Sequence, residues 1–467
     1  MKRRIHMRKI KRLSALLAAI TICAGLFSCS DDAGSSVSIK ELNPEEKSAV
    51  DNVVSDIVGQ DGAKKLDNPK VKWLSFWDIN PGDGEKITPD LQLFKDIYGG
   101  EIEYVQTTFQ TRFDDLATAV IGGDPPDFFS ACDPDVFPRF ALKKQFAPID
   151  SYVDLSDTLW DDTREMCEKF KLGDDHYVAV VNVAPAAMCV YNQDTIDSYG
   201  LKDPRELYDS GKWDWNSFKD LITTYCKQGS DTEKLYGLDS WYYEDALMFT
   251  SGTTAVKMEN GKVVSNINDK ALERVQDFMY DLYTCNAYLP RADFGWTEQP
   301  ARVASGETLF FVTYDWGLED LKNFGGSAAR LVPMPKDPES DKYYLHVCID
   351  AYAFISGGKN PEGVAAYLNC KKIANSTDEV KEIKRNTLKT EYGWSDEMIE
   401  MYDETTKLAR ANPVYDYVKG CTQDLSELVD QNFRASTTGV RWSETRDSIA
   451  TAFQAEVDNT NALSSSN

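Results

Sequence analysis

Strand and helix patterns alternate along residues 71–130, which read VKWLSFWDINPGDGEKITPDLQLFKDIYGGEIEYVQTTFQTRFDDLATAVIGGDPPDFFS. The strand-like runs are short and apolar or alternate between apolar and polar residues, whereas the helix-like runs place apolar residues on one face. In chain order these runs are the strand Val71–Trp77, the helix Leu91–Tyr98, the strand Glu101–Thr107, the helix Arg112–Ile121 and the strand Asp127–Ser130. This alternation predicts an α/β fold with a parallel sheet and helices on its faces.

The chain beyond residue 130 continues with both kinds of element. Val178–Tyr191 is a long apolar stretch that suits a chain crossing between two lobes. The other predicted elements are the helices Trp213–Tyr225, Ala271–Tyr283 and Pro361–Cys370, the extended runs Thr308–Tyr314 and Tyr343–Ile355, and a mainly helical region from Glu397 onward. Asn216 or Ser217 is expected to cap the first of these helices. About 400 residues follow the N-terminal segment, more than one hydrophobic core usually serves, so two lobes are expected.

The N-terminal segment is organised like a secretory signal. Seven of its first twelve residues are Lys or Arg, and the apolar run Leu13–Phe27 that follows is too short for a stable membrane span. The run closes on Leu26-Phe27-Ser28-Cys29, which resembles the lipobox of bacterial lipoproteins. That resemblance implies a signal peptide over residues 1–28 and a diacylated Cys29 that anchors the mature protein. A plain secretory signal with an incidental cysteine is the alternative.

A polar stretch follows the cysteine. Residues 29–69 are expected to form a linker that holds the folded domain away from the membrane, and Pro44–Val58 within it has the pattern of a short helix. No later segment is long and apolar enough to span a bilayer.

The chain is strongly acidic. Without the seven basic residues of the signal, 44 Lys and Arg stand against 76 Asp and Glu, a net charge of −32. Nucleic acid is excluded as a partner because its phosphates need a basic footprint. The negative electrostatic field of such a chain also disfavours an anionic ligand, so a neutral ligand is expected.

Motifs for catalysis, cofactors or metals are missing from the sequence. There is no HExxH, no Gly-x-Ser-x-Gly, no Gly-x-Gly-x-x-Gly and no Walker loop, and Asp78–Asp83 lacks the glycine and glutamate of a calcium loop. We therefore expect no enzyme, no cofactor and no metal. A secreted glycosidase stays open as a less favoured alternative, because its paired carboxylates are defined by distance in space.

The remaining cysteines show no spacing typical of a disulfide framework or a zinc site, so buried thiols are expected and any pairing stays open. They are Cys132, Cys167, Cys189, Cys226, Cys285, Cys348, Cys370 and Cys421.

Several short motifs follow one another in a fixed order along the chain. They are Ala117–Asp127 (ATAVIGGDPPD), Phe146–Asp150 (FAPID), Tyr191-Asn192 with Tyr199–Leu201, Trp213–Asp220 (WDWNSFKD), Ser305–Glu307 with Trp316, Val332–Pro335 (VPMP) and Asn360–Glu362 (NPE). In this order they resemble the extracellular solute-binding protein family that includes the maltose-binding proteins, over about residues 71–457. Phe310 and Phe311 depart from the pattern, since the family usually has small residues and Met there.

The resemblance implies a periplasmic-binding-protein fold, with two α/β lobes joined by a hinge and a ligand cleft between them. The chain is expected to cross the hinge near Ala184–Ala187, His346–Asp350 and Trp394–Asp396. These crossings assign residues 70–185 and 349–396 to an N-terminal lobe and residues 186–348 and 397–467 to a C-terminal lobe.

The expected ligand residues lie at the ends of predicted strands and in one aromatic run. Trp77 and Asp78 end the first strand, and Asp133 follows the third, where open α/β sheets bind ligands. Asp135 lies in the same loop, although both of these aspartates suit a turn as well. By resemblance, Trp241, Tyr242, Tyr243 and Trp316 are aromatic platforms from the other lobe. Aromatic faces cover the apolar faces of sugar rings, and carboxylates accept hydrogen bonds from sugar hydroxyls.

The sequence therefore predicts a substrate-binding lipoprotein of an ABC importer that binds a carbohydrate, an oligosaccharide above all. Its expected partners are the permease subunits and, through Cys29, the outer face of a bacterial cell membrane, and a monomer is expected. A surface glycan-binding or sensor lipoprotein without an importer is the alternative, and a polyol, a peptide or an unusual acid stays open as the ligand.

Overall fold

The structure, a computed structural model, describes residues 38–61, 65–240, 243–289, 299–318, 321–390 and 392–465. Its strands are β1 (Lys70–Ser75), β2 (Glu101–Gln106), β3 (Phe128–Ser130), β4 (Phe146–Ala147), β5 (Lys171–Leu172), β6 (Asp175–His176), β7 (Val178–Pro185), β8 (Ala187–Asn192), β9 (Tyr236–Asp239), β10 (Val256–Glu259), β11 (Lys262–Ser265), β12 (Thr308–Tyr314), β13 (Ala329–Pro333), β14 (Leu345–Ile355) and β15 (Pro413–Val414).

The α-helices cover these strands and dominate the C-terminal region. They are α1 (Pro44–Asp61), α2 (Pro89–Tyr98), α3 (Arg112–Gly122), α4 (Arg139–Leu142), α5 (Arg164–Cys167), α6 (Gln193–Ser198), α7 (Pro204–Asp209), α8 (Trp215–Cys226), α9 (Tyr243–Phe249), α10 (Lys270–Thr284), α11 (Ala301–Ala304), α12 (Asp315–Leu318), α13 (Pro361–Ser376), α14 (Asp378–Thr390), α15 (Asp396–Ala411), α16 (Gln423–Asn432) and α17 (Trp442–Ala462). Short 3₁₀ helices lie at Thr158–Trp160, Glu168–Phe170, Leu321–Phe324, Gly326–Ala328, Val418–Gly420, Ala435–Thr438 and Leu463–Ser465.

The first sheet comprises β1, β2, β3, β4, β7, β14 and β15 among the described strands. β1 lies between β2 and β3 and is parallel to both, as the N-terminal alternation predicts. β14 runs antiparallel to β3, β4 and β7, so the sheet is mixed rather than purely parallel. Trp73 of β1 is fully buried, with its ring 4.6 Å from that of Phe128 and 5.6 Å from that of Tyr352.

The second sheet has the order β13-β8-β12-β9. β8 is antiparallel to both of its neighbours, and β12 is parallel to β9. Phe310 and Phe311 of β12 are fully buried. The two rings that depart from the family pattern therefore fill the core between this sheet and its helices. Each sheet, with the helices packed on it, forms one of the two lobes of an α/β fold.

Two short connections carry the chain between the sheets. β7 belongs to the first sheet and β8 to the second, so the chain crosses at Ala186, whose N–H donates to the carbonyl of His346 at 2.9 Å. It returns between β13 of the second sheet and β14 of the first.

The third crossing, predicted near Trp394–Asp396, stays a prediction, as do the lobe boundaries. Pro413 and Val414 of β15 pair in parallel with Leu345 and His346 of β14, and all four residues lie in the ranges assigned to the C-terminal lobe. The helix that follows the predicted crossing, α15, contacts strands of both sheets, β7 and β13.

The segment before β1 is ordered from residue 38. The backbone of Lys40 forms an isolated parallel β-bridge with that of Lys86, and Leu42 and Val50 are buried in the core of the first lobe. Lys86 Nζ lies 2.5 Å from the Glu46 carboxylate, and α1 packs against α2. Residues 38–61 are thus part of the first lobe and not a free linker, because the apolar positions of this polar stretch share one face.

The cap of α8 differs from the expected one. Asp214 caps this helix by accepting a hydrogen bond from the Ser217 N–H at 2.9 Å, and Ser217 Oγ accepts one from the Asp214 N–H at 3.1 Å. This reciprocal pair is a capping box, so Ser217 is the second partner in the cap and Asn216 has no part in it.

Within the described ranges, no helix has both the length and the apolar character to cross a membrane. The eight cysteines from Cys132 onward, all in the described part of the chain, form no disulfide. Cys167, Cys189, Cys370 and Cys421 are buried as expected, and the other four are partly exposed.

Candidate functional site

The carboxyl ends of β1, β2 and β3 meet at one edge of the first sheet, because these strands are parallel. Two aromatic residues follow β1, and the Phe76 ring lies 4.7 Å from that of Trp77. Phe109, from the loop after β2, lies 5.3 Å from Phe76 and is half exposed. Trp77 is partly buried and meets Trp73 of the core edge-on at 5.5 Å. The rim of the first sheet is therefore aromatic, and its outermost rings reach solvent.

A buried arginine joins this aromatic rim to an acidic loop. The Arg112 guanidinium lies 3.8 Å from the Phe109 ring centroid and 4.3 Å from that of Phe113, in cation–π geometry. Its Nη2 is 2.5 Å from Asp135 Oδ2, and Arg112 is only 4% exposed. A buried guanidinium needs such a carboxylate partner.

The loop after β3 supplies the acidic groups of the rim. Burial raises the pKa of Asp133, and the charge of Arg112 opposes the increase. Burial also raises the pKa of Asp135 above its usual value. Asp135 Oδ1 is buried and has no hydrogen-bond partner among the described residues. These carboxylates are confined by protein, yet each residue keeps part of its surface in contact with solvent.

The segment that follows β15 faces this loop. Tyr415 is 5% exposed, and its ring lies 4.9 Å from that of Phe170. Burial raises the pKa of Tyr415 well above its usual range, and the charges of Asp416, Asp135 and Asp133 add to the increase. Tyr415 therefore lies within electrostatic reach of the acidic loop. Its hydroxyl has no hydrogen-bond partner in the described part of the chain.

The second lobe approaches the same segment through the start of α9. Tyr243 is buried and stacks on Tyr288, with ring centroids 4.8 Å apart. Asp245 keeps 38% of its side-chain surface exposed, although burial raises its pKa to about 6. A group that is surrounded by protein and still reached by water lines a crevice. Burial also raises the pKa of Asp416 to about 6, and the charge of Asp245 contributes to that increase.

His346 lies beside the chain crossing at Ala186, and it pairs with Val414 of β15. Its ring lies 4.3 Å from that of Phe249 in α9 and 6.1 Å from that of Tyr314 at the end of β12. Burial lowers its pKa to about 4, so the imidazole is neutral at pH 7. His346 Nδ1 is buried without a partner among the described residues. We take the candidate interlobe crevice to comprise Phe76, Trp77, Phe109, Arg112, Asp133, Asp135, Tyr243, Asp245, His346, Tyr415 and Asp416.

The predicted ligand residues fall into three groups. Trp77 and Asp133 lie at the rim of the crevice, and Tyr243 lies at the start of α9 with its ring buried against Tyr288. Asp78 is exposed and accepts hydrogen bonds from the Asn80 N–H and side-chain amide, both at 2.9 Å, which makes an Asx turn. Trp241, Tyr242 and Cys29 lie outside the described residues, as does the side chain of Trp316.

Sequence reasoning missed Arg112, Asp245, Tyr415 and Asp416 as crevice residues. Arg112 looks like an ordinary residue of the first turn of α3, and the other three lie more than a hundred residues from Asp133 with no local motif around them. Only the pairing of β15 with β14 brings Tyr415 and Asp416 to the first sheet.

The crevice is equipped for binding by rings and hydrogen bonds. Its aromatic edge offers apolar faces, and the carboxylates, Tyr415 and neutral His346 offer hydrogen-bonding groups without partners or with spare capacity. In the part of the chain that the structure describes, no group of three or more His, Cys, Asp or Glu side chains is placed to hold a metal ion.

A sequence model of the bacterial extracellular solute-binding proteins matches residues 81–370. No curated protein is significantly similar to the chain in sequence.

Solved structures of ABC-transporter binding proteins share the fold. The galacto-N-biose/lacto-N-biose I-binding protein of Bifidobacterium longum, solved with lacto-N-biose, is 12% identical with a TM-score of 0.59, and the match covers 85% of this chain and 99% of that one. The sugar-binding protein MalE of Xanthomonas citri is 10% identical with a TM-score of 0.59, over 85% and 97% of the two chains. The GacH receptor of Streptomyces glaucescens, solved unliganded and with acarbose, is 15% identical with a TM-score of 0.54, over 85% and 99%.

Proposed function

Because the chain belongs to the family of bacterial extracellular solute-binding proteins, we propose that it captures an oligosaccharide in the interlobe crevice and delivers it to an ABC importer. The protein acts outside the cytoplasm and performs no chemistry on its ligand. It binds, closes around the sugar by a hinge motion and releases it to the permease subunits.

The observation that carries this proposal is the aromatic edge beside unsatisfied polar groups. Phe76, Trp77 and Phe109 form a continuous line of rings at the rim, with centroid separations of 4.7 and 5.3 Å. Sugar rings present apolar C–H faces to such surfaces. Their hydroxyls donate to carboxylates such as Asp133 and to the buried Asp135 Oδ1. Asp78 stays a proposed rim contact, because its exposed carboxylate adjoins Trp77.

The ligands of proteins with this fold support a carbohydrate of more than one ring. Lacto-N-biose, β-1,6-galactobiose and cycloalternan are bound by the structural neighbours from Bifidobacterium and Listeria. Two or more rings suit a crevice whose aromatic edge extends over several side chains. Trp241, Tyr242, Tyr243 and Trp316 remain the proposed platforms of the second lobe.

A lipid anchor at Cys29 completes the proposal. Two acyl chains on one residue give stable membrane attachment, whereas a single chain is marginal. The folded body would then stay close to permease subunits in the same membrane, and a monomer would suffice for delivery.

The test is a thermal-shift screen of the protein against mono- and oligosaccharides, with calorimetry on every hit. A ligand at a hundredfold excess over its dissociation constant stabilises the folded state by about 2.7 kcal/mol. We expect Trp77→Ala to weaken binding about fivefold, since a stacking contact contributes roughly 1 kcal/mol. Tyr152→Ala is the matched control, because Tyr152 is 41% exposed and its ring stacks on Phe354, which is not a crevice residue.

Two outcomes contradict the proposal. If amino acids, peptides or polyols raise the midpoint and no carbohydrate does, the ligand class is wrong. If chromatography after incubation recovers shortened oligosaccharides, the protein is a glycosidase and not a binding protein alone.

A further inference from the structure

Four carboxylates cross the interlobe crevice from one lobe to the other. Asp133 and Asp135 belong to the loop after β3, Asp416 follows β15, and Asp245 lies in the first turn of α9. The loop after β3 packs against the segment after β15, where the Phe137 and Tyr417 ring centroids lie 6.2 Å apart, and α9 packs on β14. The charges of Asp133, Asp135 and Asp416 all contribute to the raised pKa of Tyr415, and the charge of Asp245 contributes to that of Asp416. We call these four residues the acidic row.

The cations near the acidic row are already engaged or distant. Arg112 pairs with Asp135 at 2.5 Å, Arg139 donates a hydrogen bond to the Asp135 carbonyl at 3.2 Å, and Lys419 pairs with Asp430 at 2.6 Å. Arg434 lies 3.8 Å from Asp245, at the outer limit of an ion pair. Among the described residues, no lysine or arginine nitrogen lies within 4.0 Å of the carboxylate of Asp133 or Asp416. Two members of the row therefore lack a bridging cation.

A buried side chain without a partner points to a missing ligand beside the row. Tyr415 is only 5% exposed, and no described residue forms a hydrogen bond with its hydroxyl. Its ring lies 5.3 Å from that of Tyr417, which in turn lies 6.2 Å from Phe137 of the loop after β3. A buried hydroxyl without a partner loses free energy unless a ligand or water satisfies it.

We infer that the ligand carries a positive charge and is an amino sugar or an oligosaccharide with free amino groups, held by the acidic row and the Tyr415 hydroxyl. This inference rests on the proposed function and narrows its substrate class. It replaces the neutral ligand that the composition alone favours.

The physical reason is the difference between an ammonium and a hydroxyl. Both donate hydrogen bonds to a carboxylate, but only the ammonium removes the unbalanced negative charge. Charges confined in a crevice interact more strongly than charges in bulk water. The net charge of −25 on the whole chain also attracts cations to the crevice over a longer range.

Acid should weaken such binding. Burial raises the pKa of Asp245 and of Asp416 to about 6, and Glu244, Asp430, Lys419 and Arg434 are the other charged groups that face them. A cationic ligand lowers both pKa values, so its binding is favoured while these groups are ionised. Affinity should therefore be highest above pH 6 and should fall as the pH drops from 7 to 5.

The experiment compares sugars that differ in one group. Calorimetry on the full-length protein at pH 7 would use glucosamine oligomers of two to six units, the N-acetylated oligomers and cello-oligosaccharides of equal length. We expect the amino form to bind at least tenfold more tightly than its hydroxyl counterpart, equal to about 1.4 kcal/mol. The difference should shrink as the pH falls to 5 and as salt is added.

Charge-neutral variants connect the preference to the acidic row. Asp416→Asn and Asp245→Asn should each reduce the preference for the amine, measured as the ratio of the affinities for the amino and hydroxyl forms, by threefold or more. Asp124→Asn is the control, because it removes the same charge from a side chain that is 75% exposed outside the crevice. Circular dichroism would show that each variant is folded.

The possible results separate this inference from the proposed function. If a neutral sugar binds as tightly as its amino counterpart, or if Asp124→Asn reduces the preference as much as Asp416→Asn, the inference is overturned and the proposed function stands. If none of these sugars and none of the wider carbohydrate screen binds, both are overturned.

Discussion

The two sheets are covered by helices of different character. On the first sheet, α13 places two adjacent lysines against the strands: Lys371 Nζ lies 3.3 Å from Asp350 and 3.6 Å from Asp90, and Lys372 pairs with Asp162. On the second sheet, α8 places rings there, and Phe218 stacks on Phe310 at 5.0 Å. The stability of the first interface depends on the presence of both members of each ion pair. The stability of the second depends on the side-chain volume that fills the space between helix and sheet.

This difference bears on the crevice. Asp350 of β14 lies 3.8 Å from the Cys132 thiol, and Cys132 immediately precedes Asp133 of the acidic row. The charged interface is therefore continuous with the site. The aromatic interface has no such link through Phe310, so we expect damage there to reduce stability and to leave ligand selectivity unchanged.

The largest effect is expected from Phe310→Ala. The ring is fully buried and lies 5.8 Å from Trp213 and 6.2 Å from Tyr191, so its removal leaves a cavity in the aromatic interface. We expect a loss of about 3–5 kcal/mol in the free energy of unfolding, measured by urea denaturation. The loss should be the same at pH 5 and pH 8, and Phe310→Leu should cost less. A loss below 1 kcal/mol would show that the interface does not depend on volume.

The next largest effect is expected from Lys371→Met. Removal of the ammonium leaves Asp90 and Asp350 without their shared cation, which should cost about 3 kcal/mol at neutral pH. Burial alone would raise the pKa of Asp90, but the charge of Lys371 and hydrogen bonds from Thr88 and Tyr367 outweigh it and hold the pKa below its usual value.

The pH dependence of this variant has a definite sign. A lowered carboxylate pKa contributes stability above the pKa of the unfolded chain, and that contribution disappears as the pH falls through the folded value. Without Lys371 the carboxylate should take up a proton more readily, so the loss should be greatest near pH 7.5 and smaller near pH 4. Lys371→Arg keeps the charge and should retain most of the stability. An equal loss at both pH values would contradict the ionic account.

A smaller effect is expected from Arg112→Met at the rim. Arg112 is 4% exposed, and its loss leaves Asp135 without a cation and Phe109 without its cation–π contact. We expect a loss of about 2 kcal/mol in unfolding free energy, together with weaker carbohydrate binding by calorimetry. Arg385→Met, at a side chain that is 48% exposed and pairs with Asp403 at the surface, should change neither by more than a few tenths of a kcal/mol. Unchanged binding in Arg112→Met would separate Arg112 from the ligand site.

Patterns that repeat locally made much of the fold predictable. The strand Thr308–Tyr314 is confirmed at both ends, because its apolar run is unbroken and a glycine turn precedes it. The helix at Pro44 was visible in the sequence, but its docking was not, since it packs on α2 and α14, which are distant in the chain. Which of several polar residues caps α8 depends on backbone angles that spacing does not show, so Asp214 was missed.

The crevice was less predictable than the fold for the same reason. Asp133 follows a recognisable strand and could be named in advance. Tyr415, Asp416 and Asp245 reach it through the β14–β15 pairing and the packing of α9 on β14, which are contacts between segments far apart in sequence. No local pattern marks them, and the departure at Phe310 and Phe311 concerns the core and not the site.

The smallest expected effect is a gain in stability, from Asp416→Asn. The folded pKa of about 6 lies above the ordinary aspartate value of 3.8, and burial is the main cause. A raised carboxylate pKa means that the folded state binds the proton more tightly, so stability declines as the pH rises from about 4 through 6. The asparagine variant should melt about 2 °C above the wild type at pH 7.5 and level with it at pH 4, by differential scanning calorimetry. Asp124→Asn should have the same melting temperature as the wild type at both pH values. Carboxylates held at a cost in stability are common at functional sites, so a gain in stability joined to a weaker preference for amino sugars would mark Asp416 as a residue retained for binding. A lower midpoint at pH 7.5 would instead give the ionised carboxylate a structural role.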